Sequence, residues 1–454
     1  MTPVEKIVAA VKEAGGRTFE VGGAVRDRCL GLPCKDTDLL VTGVPADVLQ
    51  TILPGRAELV GQAFGVFKVT IDGETIDVAM PRTELSTGDG HKDFEVKCDH
   101  RLSVEEDLCR RDFTMNAIAI ECGTGAQIDP FNGRHDISDR LIKAVGDANE
   151  RFEEDPLRIL RAIRFVAKLG FNIETNTALA IQRHASKLNT VAAERVAEEL
   201  IRLLMNPDSQ HVGKALRCAR DLGVLENIIP EFKDSFKFDQ RSKYHCFTVD
   251  EHVFKAVEHV VHRGASSNAR LAVLLHDIAK PRNFTVDEDG QGHFYEHEYY
   301  GAKVAKKILQ RLKFSVDDTN AVTTLVREHL RPSYDASEKV LRRFVAQLGP
   351  FVDDAIMVRE GDLAAHARES SKTAQEKMDS IRARILGLGA IVGFGPANLA
   401  LKGDEIAREF KVEFREIGEL KKAATQAVVD GLVPNEREAI LKFLKESRAE
   451  VKPT

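Results

Sequence analysis

Apolar residues recur along the first third of the chain in short runs separated by polar turns. Phe19–Val21, Leu39–Val41, Val66–Ile71, Thr75–Ala79 and Ala117–Glu121 are each short enough for a strand, and helical stretches lie between them. Ahead of them, Thr2 to Gly16 reads as an amphipathic helix with Glu5, Lys6, Lys12 and Glu13 interspersed. From Thr83 to Asp107 the periodicity is lost in polar, Gly-, Asp- and Lys-bearing sequence. This reads as a mobile loop until Ser103-Val104-Glu105-Glu106 marks a helix cap and first turn. A near-continuous helical pattern then runs from about Leu141 to Met205. Pro230 to Gln240 reads as a boundary, followed by histidine-bearing helices and, from Thr373 to Pro453, a charged helical tail. Gly387 to Gly395 reads as an ordinary loop. The pattern predicts an α+β chain with a mixed-sheet head at 1–140, a helical neck at 141–230, a histidine-bearing helical domain at 240–370 and a tail at 371–454.

A length of 454 residues exceeds one ordinary core, in keeping with three or four domains. The net charge of -6 excludes a protein coated in basic surface, but not an RNA partner met through a local basic groove. Seven scattered cysteines without a CxxC pair suit reduced thiols and a cytoplasmic protein. No apolar run is long enough to span a bilayer and no targeting segment is evident, so no membrane partner is expected. With no tryptophan and 6% aromatic residues, base stacking is not expected to dominate RNA binding.

The chemistry concentrates first at Phe19-Glu20-Val21-Gly22-Gly23-Ala24-Val25-Arg26-Asp27, followed by Gly31 and Asp36-Thr37-Asp38. Gly22 and Gly23 carry no Cβ, so backbone N–H groups there can close on a triphosphate, and Arg26 adds a fixed cation. In extended chain, residues two apart point the same way, so Asp36 and Asp38 can share one hard divalent ion. Asp77 is an acid within an apolar strand, a costly position unless it faces water, is paired or binds metal. Arg110-Arg111-Asp112-Phe113-Thr114-Met115-Asn116-Ala117 offers cations for phosphate and a carboxylate for a ribose hydroxyl. Asp129-Pro130-Phe131-Asn132-Gly133-Arg134-His135-Asp136 is turn chemistry throughout, with a geometric role. In Glu154-Asp155-Pro156-Leu157-Arg158, Asp155 is either a helix cap or a binding group, and Arg158 either a solvated cation or its partner. Arg161, Arg164 and Lys168 continue a basic side, and Glu194-Arg195-Val196-Ala197-Glu198-Glu199 follows. Farther on, Asp250-Glu251-His252 precedes an apolar helix, Ala269 to Leu275, that ends in His276-Asp277-Ile278-Ala279-Lys280-Pro281. His293, His297, His329 and Arg359-Glu360-Gly361-Asp362-Leu363 come later.

These blocks, in this order, resemble those of class II template-independent nucleotidyltransferases, the bacterial CCA-adding enzymes and their poly(A) polymerase relatives, and the His-Asp pair resembles the HD phosphohydrolase signature. The resemblance implies a polymerase β-like nucleotidyltransferase head and a neck that selects nucleotides, with an HD domain and tail beyond. It implies Asp36, Asp38 and Asp77 as catalytic carboxylates with Mg2+, and Gly22, Gly23, Arg26, Asp27, Arg111, Asp112, Asn116, Asp155, Arg158, Arg161 and Arg164 as nucleotide-binding residues. Its substrates would be ATP, CTP and tRNA, extended by C and A. His252, His276, Asp277 and Asp362 would hold a transition metal such as Mn2+, Ni2+ or Zn2+ for phosphohydrolysis. The loop at Thr83–Asp107 matches one that takes part in the switch to adding A, which weighs against a CC-only enzyme. An enzyme adding only A, a poly(A) polymerase, an RNA-bound metal phosphohydrolase and a non-enzymatic RNA-binding protein remain as alternatives. Val60-Gly61-Gln62-Ala63-Phe64 lacks the basic pair expected of a poly(A) polymerase. Asn435-Glu436-Arg437-Glu438-Ala439 resembles the final helix of similar enzymes, whereas Lys411-Val412-Glu413-Phe414-Arg415 stands where they carry a Pro-Gly-Pro turn. The oligomeric state is left open.

Overall fold

The computed structural model describes residues 1–33, 37–60, 65–86, 94–242, 246–366, 371–387 and 399–450. Asp36, Gln62 to Phe64, Tyr244, His245 and most of the Gly387–Gly395 stretch lie outside the described residues. The chain divides into two units, Met1–Leu203 with Gln210–Pro230, and Leu204–Ser209 with Glu231–Thr454.

The first unit opens with α1 (Pro3–Glu13), where Thr2 and Glu5 cap one another reciprocally. There follow β1 (Arg17–Val21), α2 (Gly23–Cys29), β2 (Asp38–Thr42), α3 (Ala46–Ile52), β3 (Arg56–Val60), β4 (Val66–Ile71), β5 (Glu74–Ala79), β6 (Arg82–Ser86), β7 (Phe94–Cys98), α4 (Val104–Cys109), β8 (Ala119–Glu121) and β9 (Gln127–Ile128). Seven strands form one mixed sheet in the order β3-β4-β5-β2-β1-β8-β9. Only β2 and β5 run parallel; the other neighbours are antiparallel. Alternation along the strands divides the core between two faces. Leu39, Val41, Phe67, Val69, Ile76 and Val78 pack under α1 and α3 with Ile7, Val11 and Leu49. Phe19, Val21 and Leu40 pack with Val104 and Leu108 on the other face.

The loop expected from Thr83 to Asp107 is corrected in part. β6 and β7 pair antiparallel, Arg82 with Cys98 through Ser86 with Phe94. Phe94, Val96 and Cys98 alternate with Glu95 and Lys97, a period of two that the surrounding polar sequence obscures. The capping box at Ser103 and Glu106 is present and starts α4. Edge strand β3 was not expected, and β8 begins at Ala119 because Thr114–Asn116 forms a 3-10 turn.

At the end of the head, Asn132 adopts the left-handed conformation with φ 58, and α5 (Gly133–Ser138) follows. The Asp129 carboxylate accepts from the Gly133 and Arg134 N–H groups at 2.7 and 3.0 Å, while the Thr114 hydroxyl donates to Asp136 at 2.6 Å. A Cβ at Gly133 would stand 2.1 Å from the Thr114 carbonyl oxygen. Gly133→Ala should therefore destabilise the first unit by about 1–3 kcal/mol, as overpacking against backbone does. Urea unfolding checks this, and an unchanged midpoint would show that the turn tolerates the methyl group.

The neck is less continuous than its periodicity suggests. It comprises β10 (Leu141–Ile142), α6 (Ala148–Glu154), α7 (Leu157–Leu169), β11 (Asn172–Ile173), α8 (Thr175–His184), α9 (Ala193–Leu204), α10 (Ser209–Asp221) and α11 (Val224–Ile228). Asp155-Pro156 interrupts the first two helices because proline offers no N–H to continue α6. Gly170, with φ +69, ends α7, and a Cβ there would strike the His211 ring at 2.2 Å. The chain then returns as β11 to pair in parallel with β10.

In the second unit, α12 (Val249–His262), α13 (Ser267–Leu275), α14 (His297–Arg311), α15 (Val316–Glu328), α16 (Glu338–Leu348), α17 (Val352–Ala364) and α18 (Ser371–Gly387) precede a tail of α19 (Gly403–Phe410), α20 (Phe414–Val429) and α21 (Arg437–Glu450). Every residue of α13 from Ala269 to Leu275 is buried. Buried Glu360 of α17 accepts from Arg263, the residue that caps α12, at 2.8 Å and from Arg382 of α18 at 3.2 Å, and lies 2.8 Å from His259 of α12. The ionic contact thus ties three helices by groups that neutralise one another. The six described cysteines are all free, and no helix among the described residues is long and apolar enough to cross a membrane.

Candidate functional site

β1 delivers the glycine pair at its carboxyl end, where Gly22 takes φ +73. A Cβ at Gly22 would lie 3.0 Å from Arg111 Nη1 and 3.7 Å from Asp38 Oδ2, so glycine, cation and carboxylate meet at one point. Asp38 opens β2 and is paired in register with Asp77 of β5. Both acids continue the strand face of Leu40 and Ala79, with Asp38 exposed and Asp77 half-buried. Two carboxylates side by side on parallel strands repel one another, and a hard dication relieves that repulsion with oxygen ligands. The donor set therefore fits magnesium. Lys68 of β4 stands opposite Asp77 on its other side.

Behind this edge, the other predicted residues of the head bond to each other. Buried Arg26 donates to Asp27 Oδ1 at 2.8 and 2.6 Å and to Asn116 Oδ1 at 2.6 Å. Asn116 donates in turn to Asp112 Oδ1 at 3.0 Å, and Arg161 of α7 donates twice to Asp112 Oδ2, at 2.9 and 2.5 Å. Burial works against charge on Asp112, but Arg161 and the hydrogen bonds from Asn116 and the Phe113 N–H outweigh it and hold the carboxyl below its ordinary range. Arg111 rests on Asp107 and on the Asn116 carbonyl, and Arg110 shares Asp107. Asp107 is fully buried and anchors both arginines. Its signal in the sequence was its place four residues before Arg111 on a capped helix.

The basic side expected along α7 is corrected: each cation there meets a carboxylate. Arg161 pairs with Asp112, Arg164 with buried Glu199 at 2.5 Å, and Lys168 with Asp27 at 3.3 Å. Arg26, Arg161 and Arg164 also gather around the Phe165 ring, 5.3, 5.9 and 4.5 Å from its centroid. Asp155 stands in extended conformation just ahead of α7; it accepts from the Leu157 N–H of the first turn at 3.0 Å and from Arg195 at 3.3 Å. Arg158 is buried, donating to Glu154 at 2.8 Å and to the Arg110 carbonyl at 2.9 Å. It is not a solvated cation.

In the second unit, His252 of α12, His276 and Asp277 after α13, and Asp362 of α17 converge. His252 Nε2 lies 3.3 Å from His276 Nε2, 3.4 Å from Asp277 Oδ2 and 3.2 Å from Asp362 Oδ1. Two histidines absent from the expected ligand set complete the cluster. His297 and His329 place their Nε2 atoms 3.3 Å apart and 3.5 and 3.9 Å from Asp277 Oδ1. Asp277 thus faces one pair of imidazoles with each oxygen. His366 adds a further ring nitrogen 3.4 Å from Asp362. The sequence showed these histidines, but not that α14 and α15 return them to Asp277.

The cluster passes a specific test of fit to a metal. Nδ1 of His276, His297 and His329 each lies 2.6–2.7 Å from the carbonyl three residues earlier, and His252 Nδ1 faces the Ala365 carbonyl. Those contacts orient every Nε2 atom inward. Asp277 is 1% exposed; its Oδ2 lies 2.7 Å from Lys280 Nζ and 3.2 Å from His276 Nε2, while Oδ1 stands 3.5 Å from His297 Nε2 and 3.9 Å from His329 Nε2. Burial opposes charge on Asp277, yet His276 and Lys280 hold it well below the usual carboxylate range. Burial, with His276 and His297 nearby, pushes His329 down to about 3, so its imidazole is neutral. On His276, burial is outweighed by Asp277 and Asp362, which raise it to about 10. Buried carboxylates among inward-facing imidazoles suit a transition-metal ion.

Comparison with known proteins adds three family matches. Residues 18–143 match the poly A polymerase head domain, residues 170–236 the probable RNA and SrmB-binding site of polymerase A, and residues 244–388 the HD domain. The multifunctional CCA protein of Azoarcus sp. (strain BH72) is 37% identical over 318 residues, spanning 69% of this chain and 73% of that protein. That of Xanthomonas campestris pv. campestris (strain B100) is 37% identical over 322 residues, with 69% and 75% covered. The solved Bacillus stearothermophilus CCA-adding enzyme in complex with CTP superposes with a TM-score of 0.73 at 27% identity, covering 99% of this chain and 98% of that one.

Proposed function

The chain belongs to the multifunctional CCA protein family, and from that premise we propose that it adds C and A nucleotides to the 3′ end of tRNA from CTP and ATP without a nucleic-acid template. The observation that carries the reading is the in-register pairing of Asp38 with Asp77 beside Gly22 and Arg111. Asp38 and Asp77, with Asp36 by family resemblance, would hold Mg2+, which when bound supplies charge neutralisation at the transferring phosphoryl group and activates the RNA 3′-hydroxyl. The chain's own groups do the rest. The Gly22–Gly23 turn lets phosphate approach the backbone at the start of α2, and Arg111 offers a cation at the same point. Arg26, Asp27, Asn116 and Asp112 hold that floor rigid through their mutual bonds, and no protein nucleophile is required.

The direct test presents purified protein with tRNAs ending before CCA, after C and after CC, each with CTP or ATP alone. CTP should extend the first two and ATP the third. If only the CC-ended tRNA is extended, the protein adds A alone.

Asp155 and Arg158 are the groups proposed to select the base. Cytosine offers an N4 donor beside an N3 acceptor, and adenine an N6 donor beside N1; a carboxylate next to a guanidinium complements both. Uracil and guanine present the reverse order. Both side chains already hold protein partners, so a base must return as many hydrogen bonds as it displaces. Asp155→Ala and Arg158→Ala should lower C and A incorporation and shrink the margin over U and G by on the order of a hundredfold. Competition with all four triphosphates measures this, and unaltered selectivity in both variants refutes the assignment.

For the second unit, the histidine cluster supports a phosphohydrolase acting on 2′-phosphate or cyclic phosphate ends. His252, His276, Asp362 and one Asp277 oxygen would hold one ion, and His297, His329 and the other oxygen a second, drawn from Mn2+, Ni2+ or Zn2+. When bound, such ions supply an activated water at neutral pH.

A further inference from the structure

The protein has five tyrosines, and three of them crowd into six residues around His297. Tyr295, Tyr299 and Tyr300 are 68%, 38% and 43% exposed. Exposed rings of this size call for a partner when they are grouped and ordered.

They are ordered. His293 stacks on Tyr295 with ring centroids 5.4 Å apart and planes 9° apart, and Asp287 holds His293 at 2.8 Å. The Asn283 amide donates to the Tyr295 carbonyl at 3.0 Å. Tyr299 packs edge-on to Tyr300 with centroids 5.3 Å apart. Lys303 Nζ sits 3.9 Å from the Tyr299 centroid and Arg327, from α15, 4.8 Å from it. Exposed aromatic faces interleaved with cations are what a single-stranded nucleic acid requires, since bases stack on the rings while phosphates meet the charges. His297, whose Nε2 lies 3.5 Å from Asp277 Oδ1, falls between Tyr295 and Tyr299 in the chain, so the same short segment carries the tyrosines and one member of the histidine cluster.

We propose that Tyr295, Tyr299 and Tyr300, with Lys303 and Arg327, form a stacking platform for the terminal nucleosides of a single-stranded RNA end. The platform presents the terminal phosphate to the His297 side of the cluster. Its catalytic consequence rests on the phosphohydrolase reading above; its binding does not. In the hydrolytic step, water adds to phosphorus of a 2′,3′-cyclic phosphate as one P–O ester bond breaks. The product is a phosphomonoester, and the freed ribose oxygen takes a proton from the water. The platform makes this a reaction of polynucleotide ends rather than of any phosphate ester.

The test uses the full-length protein loaded with Mn2+, a short oligoadenylate ending in a 2′,3′-cyclic phosphate, and p-nitrophenyl phosphate as a substrate without a base. The Tyr295→Ala/Tyr299→Ala double variant should raise KM for the oligonucleotide by about tenfold or more. Its kcat, its p-nitrophenyl phosphate hydrolysis and its CCA addition should be unchanged, the last showing that the chain is folded. Tyr295→Phe/Tyr299→Phe should retain the wild-type KM, since phenylalanine stacks equally. Because the protein contains no tryptophan, its intrinsic fluorescence is tyrosine emission, and bound bases should quench it in the wild type. Quenching without hydrolysis of either substrate would remove the phosphohydrolase and leave the platform standing. Hydrolysis with an unchanged KM in the alanine variant, or no quenching, overturns the platform.

Discussion

Replacing Asp38 with Ala should lower nucleotide addition by roughly 10³-fold or more and leave tRNA binding within about twofold. Asp38 stands beside Asp77 across a parallel strand pair, at the point where Gly22 and Arg111 meet. On the proposed reading its carboxylate would help hold a cation where charge develops, a contribution worth several kcal/mol in the transition state and little in the ground state. Asp38 is exposed at the strand end, so its loss opens no cavity and the sheet keeps its core. Asp77→Ala should behave alike. Single-turnover addition of C to a tRNA lacking CCA, beside a filter-binding assay, separates chemistry from affinity. Near-normal addition by both variants would sink the assignment of these acids.

Asp277→Asn should remove metal from the whole histidine cluster, whereas His329→Ala should remove it from one half only. The reason is the position of Asp277, with one oxygen toward His252 and His276 and the other toward His297 and His329. The amide keeps the shape of the side chain beside Lys280 while losing the charge that draws a cation, so retained fold and lost metal can be told apart. Metal content by plasma mass spectrometry after loading with Mn2+, Ni2+ or Zn2+ should fall in that order, wild type, His329→Ala, Asp277→Asn. Phosphohydrolysis should be lost in the last, and CCA addition should persist in all three. If the loaded wild type holds no metal, or Asp277→Asn holds as much as wild type, the cluster is only a packed core.

What could be read from the sequence was local. The strand Val66–Ile71, the capping box at Ser103 and Glu106, and the turn at Asp129–Gly133 each depend on residues a few positions apart, and such patterns survive in one dimension. The types of residue in the head site were also legible. Their relations were not, because Asp38 meets Asp77 through strand pairing and Asp112 meets Arg161 across 49 residues. The basic side of α7 illustrates the limit: the spacing showed Arg161, Arg164 and Lys168, but their acidic partners arrive from Asp112, Glu199 and Asp27. The β6–β7 pairing was missed because a short polar hairpin differs from a loop only in having a partner strand. The aromatic content, too low overall to suggest stacking, hid the grouping of three tyrosines beside His297.

The line of contacts from Asp27 through Arg26, Asn116 and Asp112 to Arg161 bears on how this protein can change over generations. Each member is the partner of the next, so replacing one strands a buried charge or amide one step along. Single replacements along this line should therefore cost more stability than paired exchanges of neighbours, which double-mutant cycles would measure. Asp155, with a backbone N–H and one arginine as partners, stands outside this line, so its replacement strands none of these buried groups.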